Sequence, residues 1–153
     1  MLFRSVQQLI SMTDYMKRRA ADKVQFDLQM HHLEKFNVPV SPQLFDWVIE
    51  NLLKNALDAM EGKGRIFIEL RDENRLAIIE VSDTGKGIPR SLWNKIFKPG
   101  FTTKKRGWGL GLSLSKRIIE QYHKGRLFIK HSEPNKGTTF RIELHQEIGR
   151  AHV

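Results

Sequence analysis

The sequence predicts an α+β fold: a two-layer α/β sandwich with a mixed, mainly antiparallel sheet and helices on one face. Three observations predict it. Strand-like segments come in two turn-linked pairs, 65–71 with 76–83 and 126–132 with 138–145. A long segment, 42–60, carries apolar side chains at helical spacing and stands between a lone strand and the first pair. The 153 residues, 40% of them hydrophobic, suffice for one domain with one core.

Taken in order, residues 3–21 place Val6, Leu9, Ile10 and Met16 at helical spacing and predict a lead-in helix. In residues 23–31, Val24, Phe26, Leu28 and Met30 alternate with polar side chains, the pattern of a half-buried strand. Val38-Pro39-Val40 is an extended link. Ser41 followed by Pro42 predicts a helix start, with Ser41 as N-cap. Phe45, Val48, Ile49, Leu52, Leu53, Ala56 and Met60 build the apolar arc of that helix, and Gly62 and Gly64 end it. Asp72-Glu73-Asn74 joins the next two strands, residues 83–89 form a loop, and a short helix is expected near 91–96. Residues 98–111 are rich in Gly, Thr and Lys and show no periodicity. The helix after them runs to about residue 123 and stops at Gly125. Glu133-Pro134-Asn135-Lys136-Gly137 supplies the turn of the last hairpin.

Composition narrows the chemistry. With 28% charged residues the chain reads as ordered and globular. The absence of cysteine excludes disulfides, thiolate catalysis and Cys-ligated zinc. No apolar run approaches the roughly 18 residues that span a bilayer. The start, MLFRSVQQLI, lacks the parts of a signal peptide. The expected location of this chain is cytoplasmic, whether or not its parent protein is membrane-anchored. A formal charge of +9 and a pI of about 10.0 favour polyanionic partners. The cluster Lys17-Arg18-Arg19 reads as a solvated helix face.

Four short motifs carry candidate chemistry, and each has a plain alternative. Asn51, Asn55 and Asp58 form one helical stripe facing away from the apolar arc. A solvated face would favour Glu, Lys and Arg, since Asn and Asp are poor mid-helix residues. An Asn carbonyl is a hard oxygen donor suited to Mg²⁺. Asp83-Thr84-Gly85-Lys86-Gly87-Ile88 puts a carboxylate at a strand end, able to accept a hydrogen bond from an exocyclic amine such as adenine N6; otherwise it is a surface turn. Gly107-Trp108-Gly109-Leu110-Gly111 enters a helix behind Lys104, Lys105 and Arg106, and its backbone amides suit phosphate. The alternative is a flexible linker, although linkers seldom run straight into an amphipathic helix. Neither a P-loop nor the dinucleotide fingerprint fits that spacing. Gly137-Thr138-Thr139-Phe140 opens the last strand, where Thr138 can join Asp83 around a base through water, or is simply a β-branched strand residue.

In one order, ENLLKNALDAM, DTGKGIP, IFKPGFTTKK with GWGLGLSLSK, and GTTF resemble the N, G1, F, G2 and G3 boxes of sensor histidine kinases. Those kinases belong to an ATPase superfamily shared with gyrase, MutL-type repair proteins and the ninety-kilodalton heat-shock chaperones. The resemblance spans residues 20–145 and implies a Bergerat-type ATP-binding fold with a lid between Phe97 and Gly109. It implies ATP and Mg²⁺ as cofactors. Asn55 would hold Mg²⁺ and phosphate oxygens, with Asn51 nearby. Asp83 would bind adenine N6, with Gly85, Gly87 and Ile88 shaping the base pocket and Thr138 supporting that side. Thr102, Thr103 and Lys104 would belong to the lid, with Lys104 on the phosphates. Gly107, Gly109, Leu110, Gly111 and Leu112 would offer backbone to the phosphates, and Phe97 and Phe101 would anchor the lid. Asn51, Asn55 and Lys104 are the catalytic candidates.

Hydrolysing relatives carry a Glu general base at the position of Asn51, and an amide cannot take a proton at neutral pH. Glu50 is rotated about 100° away. The resemblance therefore implies phosphoryl transfer to a His on a separate, homodimeric phosphoacceptor domain, with a response regulator downstream. Asp58-Ala59 stands where many sensor kinases have a basic residue and Tyr, as in the nitrogen-regulation branch, and Lys54 is the candidate replacement for an α-phosphate contact. His31-His32 follows a strand and reads as a strand-end pair, so this chain is expected to lack its phosphoacceptor. The expected division is a lead-in helix over 1–21, an ATP-binding domain over 22–146, and a tail over 147–153. That tail resembles the translation of a sequencing adapter. Two other readings stay open. One is a stand-alone anti-sigma-factor Ser kinase of the same superfamily, although FTTKK with GLGLSLSK looks more like the sensor kinases. The other is a basic nucleic-acid-binding module, which needs stacking aromatics, whereas those here fall mainly at core-like positions.

Overall fold

In a computed structural model, which describes residues 11, 14, 15, 18, 23–31, 38–101 and 110–146, five strands form one sheet. The strands are β1 (Val24–Met30), β2 (Gly64–Glu73), β3 (Leu76–Asp83), β4 (Arg126–Glu133) and β5 (Gly137–His145). Among the described residues, α1 (Pro42–Ala59) and α2 (Gly111–Arg117) are α-helices that accompany them. The spatial order is β1-β2-β3-β5-β4. β1 pairs with β2 in parallel, Phe26 opposite Ile66, and the other three pairings are antiparallel. A parallel pair needs a crossover, and α1 is its helix. The sheet is thus mixed and mainly antiparallel, as expected. Of the predicted lead-in helix, Ser11, Asp14, Tyr15 and Arg18 are helical and exposed; its other residues and the 147–153 tail lie outside the described residues. No described helix is long and apolar enough to cross a membrane.

The helix arc and the strand alternation meet in one core. Phe45, Val48, Ile49, Leu52, Leu53 and Ala56 of α1 are buried, as are Ile66, Ile68 and Leu70 of β2 and Ala77, Ile79 and Val81 of β3. Leu127, Ile129, Phe140, Ile142 and Leu144 extend the same layer. Both predicted hairpins form. The first closes through Asn74 and Arg75, both at positive φ, which is the two-residue geometry that matches strand twist.

Three local expectations change. Ser41 occupies the N-cap position, but its hydroxyl makes no capping bond. Instead its backbone N–H donates to His123 Nε2 (3.0 Å), so that imidazole nitrogen is the acceptor. His123 Nδ1 faces the Ile118 carbonyl at 2.9 Å. The short helix near 91–96 is two separate 3₁₀ turns, Arg90–Leu92 and Lys95–Phe97. The helix after residue 110 is α-helical only to Arg117 and then widens into a single π turn, Ile118–Tyr122. That turn ends with His123 N–H donating to the Ile118 carbonyl (3.1 Å).

The other sheet face is charged yet closed. Glu80 is 6% exposed and takes Lys130 Nζ at 2.9 Å, Arg71 Nη2 at 3.2 Å and Arg141 Nη1 at 3.5 Å. Arg71 also meets Glu69 and Glu73, and Arg141 meets Glu143. Ile78, flanked in register by Arg71 and Glu143, is fully buried on this face. Arginine stems can cover such an apolar residue while their heads stay polar. Burial opposes the charge on Glu80, but Arg71 and Lys130 outweigh it and hold its carboxyl below the ordinary glutamate value. A depressed carboxyl contributes stability above the unfolded-state pKa and loses it as pH falls through the folded-state value. Glu80→Gln is therefore expected to cost about 3 kcal/mol at neutral pH, because three cations lose their buried partner. Urea unfolding across pH checks this: the gap to the parent protein should close at acidic pH, and equal stability at pH 7 would contradict it.

Candidate functional site

The rim of the site is the face of α1 turned away from the core. Asn51 and Asn55 are half-buried there, while Asp58 is exposed. Asn51 faces α2 rather than open solvent. Its Nδ2 donates to Ser115 Oγ (3.1 Å), and Ser115 is fully buried. A Cβ added to Gly111 would lie 2.8 Å from Asn51 Nδ2 and closer still to Oδ1, so glycine at 111 makes room for that amide. Lys54 pairs with Glu50 at 3.0 Å, one turn apart.

The second wall is the 83–89 loop. Asp83 ends β3 at 8% exposure and accepts the Gly85 N–H at 2.8 Å. Burial pushes its carboxyl above the ordinary aspartate value, and the backbone amides of Gly85 and Thr138 pull it part of the way back. The loop's glycines are packed against protein. A Cβ at Gly85 would press on the Ala59 backbone at the end of α1, 2.5 Å from its carbonyl oxygen. One at Gly87 would overlap the Glu133 carbonyl, and one at Gly137 the Asp83 carbonyl. Backbone bonds complete the joint: Lys86 N–H to the Ala59 carbonyl (3.0 Å) and Asn135 N–H to the Lys86 carbonyl (2.7 Å).

Ser132 and Trp93 hold the end of this loop, and the sequence reading missed both. Ser132 Oγ accepts the Ile88 N–H (2.7 Å) and lies 2.7 Å from Thr138 Oγ1. Trp93 Nε1–H donates to the Ile88 carbonyl (2.9 Å). A register shift between Ile129 and His131 hides the inward position of Ser132 from a period-two reading of β4. Ser115 was legible in principle, as the one hydroxyl on the apolar arc that Leu112 and Ile119 define.

Phe97 stands edge-on to Phe140, with ring centres 6.2 Å apart. Lys116 Nζ lies 4.6 Å from the Phe97 ring centre, meets Glu120 at 3.1 Å and donates to the Leu127 carbonyl at 2.7 Å. Phe101 and Leu112 pack on the core, while Leu110 is exposed. The structure thus brings together Asn51, Gly111 and Ser115 on one side, and Asp83, Gly85, Gly87, Ile88 and Thr138 on the other. Thr102, Thr103, Lys104, Gly107 and Gly109 lie outside the described residues.

Residues 41–148 match the family described as histidine kinase-, DNA gyrase B-, and HSP90-like ATPase. The chain belongs to this family. Among curated relatives, Sporulation kinase A of Bacillus subtilis is 40% identical over 97 residues, covering 63% of this chain and 16% of the kinase. Nitrogen regulation protein NtrY of Azorhizobium caulinodans is 28% identical over 160 residues, covering 97% of this chain and 20% of NtrY. The chain thus spans a small part, under a quarter, of the length of either relative. Among solved structures, the catalytic domain of histidine kinase ThkA superposes with a TM-score of 0.81 at 29% identity, covering 92% of this chain and 91% of that one. ThkA in complex with the response regulator protein TrrA superposes at 0.75 and 27% identity, over 94% of this chain and 40% of that one.

Membership of this ATPase family makes the domain an ATP-binding one. Its donor set suits that ligand. A carboxyl held buried between backbone amides is an acceptor for an exocyclic amine. Among the described residues no three His, Asp or Glu side chains converge as a metal site. Divalent cation binding would then draw on amide oxygens and on the phosphates themselves, the usual arrangement for Mg²⁺.

The glycine packing makes a direct prediction. Gly62 and Gly87 have similar left-handed φ values, +78 and +73, but only Gly87 faces backbone within reach of a Cβ. Gly62→Ala is expected to cost about 1 kcal/mol, the strain of that conformation alone. Gly87→Ala adds a collision with the Glu133 carbonyl and should cost at least about 2 kcal/mol more. Thermal unfolding of the two variants checks this, and equal melting temperatures would refute the interlock.

Proposed function

We propose that this domain binds Mg-ATP and donates the γ-phosphoryl group to a histidine on a separate phosphoacceptor domain. The observation that carries this reading is Asn51. In the position where hydrolysing relatives place a glutamate base, this chain has an amide whose nitrogen is already donating to Ser115. An amide offers no proton acceptor at neutral pH, so activation of water has no base on that turn. Transfer to an imidazole needs none, because the nucleophile is already competent, and positioning with charge neutralisation supplies the catalysis.

Each residue has a definite task in this reading. Asp83 accepts from the adenine amine, with Thr138 and Ser132 keeping that wall of the pocket in place. Gly85, Gly87 and Ile88 set the path of the loop beneath the base. Asn55 gives its amide oxygen to the cation, and Asn51 lies one turn away beside Gly111. The cation, when bound, neutralises phosphate charge. Lys104, Thr102 and Thr103 belong to the lid, as do the backbones of Gly107, Gly109, Leu110, Gly111 and Leu112, with Phe97 and Phe101 at its root. Lys54 has a partner in Glu50 and would have to leave it to reach a phosphate. The partners are the phosphoacceptor domain of a homodimeric parent kinase and a response regulator, the class of protein found with ThkA.

Two measurements test the reading. Titration calorimetry with a non-hydrolysable ATP analogue and Mg²⁺ should show binding that Asn55→Ala weakens at least tenfold, since about 1.5–3 kcal/mol attaches to a contact with charge. A phosphoacceptor domain added in trans with labelled ATP should gain acid-labile label. Acid-stable phosphoserine, or release of phosphate alone, would sink the proposal. Acidity supplies a further check. A raised Asp83 pKa means that its acceptor form begins to protonate above the ordinary aspartate range, so affinity should fall as pH drops into that interval. Asp83→Asn should bind weakly at every pH and lose that pH dependence.

A further inference from the structure

The seam between α1 and α2 holds an arrangement that the proposed function does not explain by itself. Ser115 is fully buried in the middle of a helix, where a serine is a poor choice and an alanine would serve better. Its Oγ accepts the Asn51 Nδ2 hydrogen at 3.1 Å, joining residues 64 positions apart. One turn earlier on α2, Gly111 leaves open the space that the Asn51 amide occupies, its oxygen nearest. The Asn51 nitrogen is held by Ser115, and the oxygen lies beside Gly111, the first residue of α2. Without Ser115, a half-buried amide would lose the partner that selects its orientation. The amide could then turn over, exchanging the places of its nitrogen and oxygen.

We propose that Ser115 is a positioning residue for nucleotide binding, acting through Asn51. It aligns the Asn51 amide so that its oxygen is presented beside Gly111, and it ties the Asn-bearing helix to the helix that leaves the glycine loop. The inference rests on the nucleotide reading of this site, and it assigns Ser115 no contact with ATP or cation.

A double-mutant cycle tests it. Affinity for the Mg²⁺-loaded ATP analogue is measured for the parent protein, Ser115→Ala, Ser115→Thr, Asn51→Ala and the Ser115→Ala/Asn51→Ala pair. Ser115→Ala should weaken binding about fivefold, the scale of one neutral hydrogen bond. Ser115→Thr, which keeps the hydroxyl, should stay within about twofold, and the double variant should bind no more weakly than Asn51→Ala alone. A measurement without nucleotide accompanies it. The Asn51 side-chain NH₂ protons, identified by their absence in Asn51→Ala, should exchange with solvent more slowly in the parent protein than in Ser115→Ala. Equal weakening by Ser115→Ala in both backgrounds would show a packing effect and overturn the inference. So would unchanged affinity together with unchanged exchange. In either case, retained parent binding with loss in Asn55→Ala leaves the nucleotide reading standing. Absence of binding by the parent protein overturns both.

Discussion

Helix α1 lays Phe45, Val48, Ile49, Leu52, Leu53 and Ala56 onto the sheet, none of them more than 3% exposed. At about 2 kcal/mol for each large side chain removed from water, this contact is comparable with the whole net stability of a small domain. It also fixes the helix's rotation about its own axis. A turn of one residue would carry the arc about 100° off the sheet. The same constraint sets Asn51 and Asn55 on the rim, because a 3.6-residue period places them on the side that the core does not use. Chemistry at the rim is thus positioned by apolar packing on the opposite side of the helix.

The second wall is held differently. Its loop packs Ile88 on the core and is otherwise tied by backbone contact to α1 on one side and to the last hairpin on the other. Gly85, Gly87 and Gly137 allow this, since each sits where a side chain would meet main chain. The buried hydroxyls of Ser132 and Thr138 then satisfy polar groups that the close approach would leave stranded. The expense of burying Asp83 shows in its raised pKa. A carboxylate kept poorly solvated, yet oriented by backbone amides, is a better acceptor for a ligand than one already solvated by water.

Much of this was legible in the chain. The α1 arc, both hairpins and the stripe of Asn51 and Asn55 follow from periods of 3.6 and 2, and the structure agrees with each. The roles of the loop glycines were less legible. Gly85 and Gly87 invite a reading as space for a flat ring, whereas the neighbours found within reach of a Cβ are the backbones of Ala59 and Glu133. Ser41 illustrates another limit. Its N-cap position was readable, but its N–H partner is His123, 82 residues away, and local rules carry no information about such a pair. Ser132 escaped notice for the same reason: its hydroxyl gains meaning only from what it faces.

By itself, the sequence determined the long helix α1 and its apolar face, the strands β1 to β5 and the turns that close both hairpins. These are consequences of local propensity and periodicity, which act over a few residues. The tertiary structure alone decided that β1 runs parallel to β2, that β5 lies inside β4, and that Asn51 belongs to Ser115 and Gly111 as much as to its own helix. Those outcomes depend on contacts between residues tens of positions apart, whose loop-closure entropy is repaid only when the whole core forms.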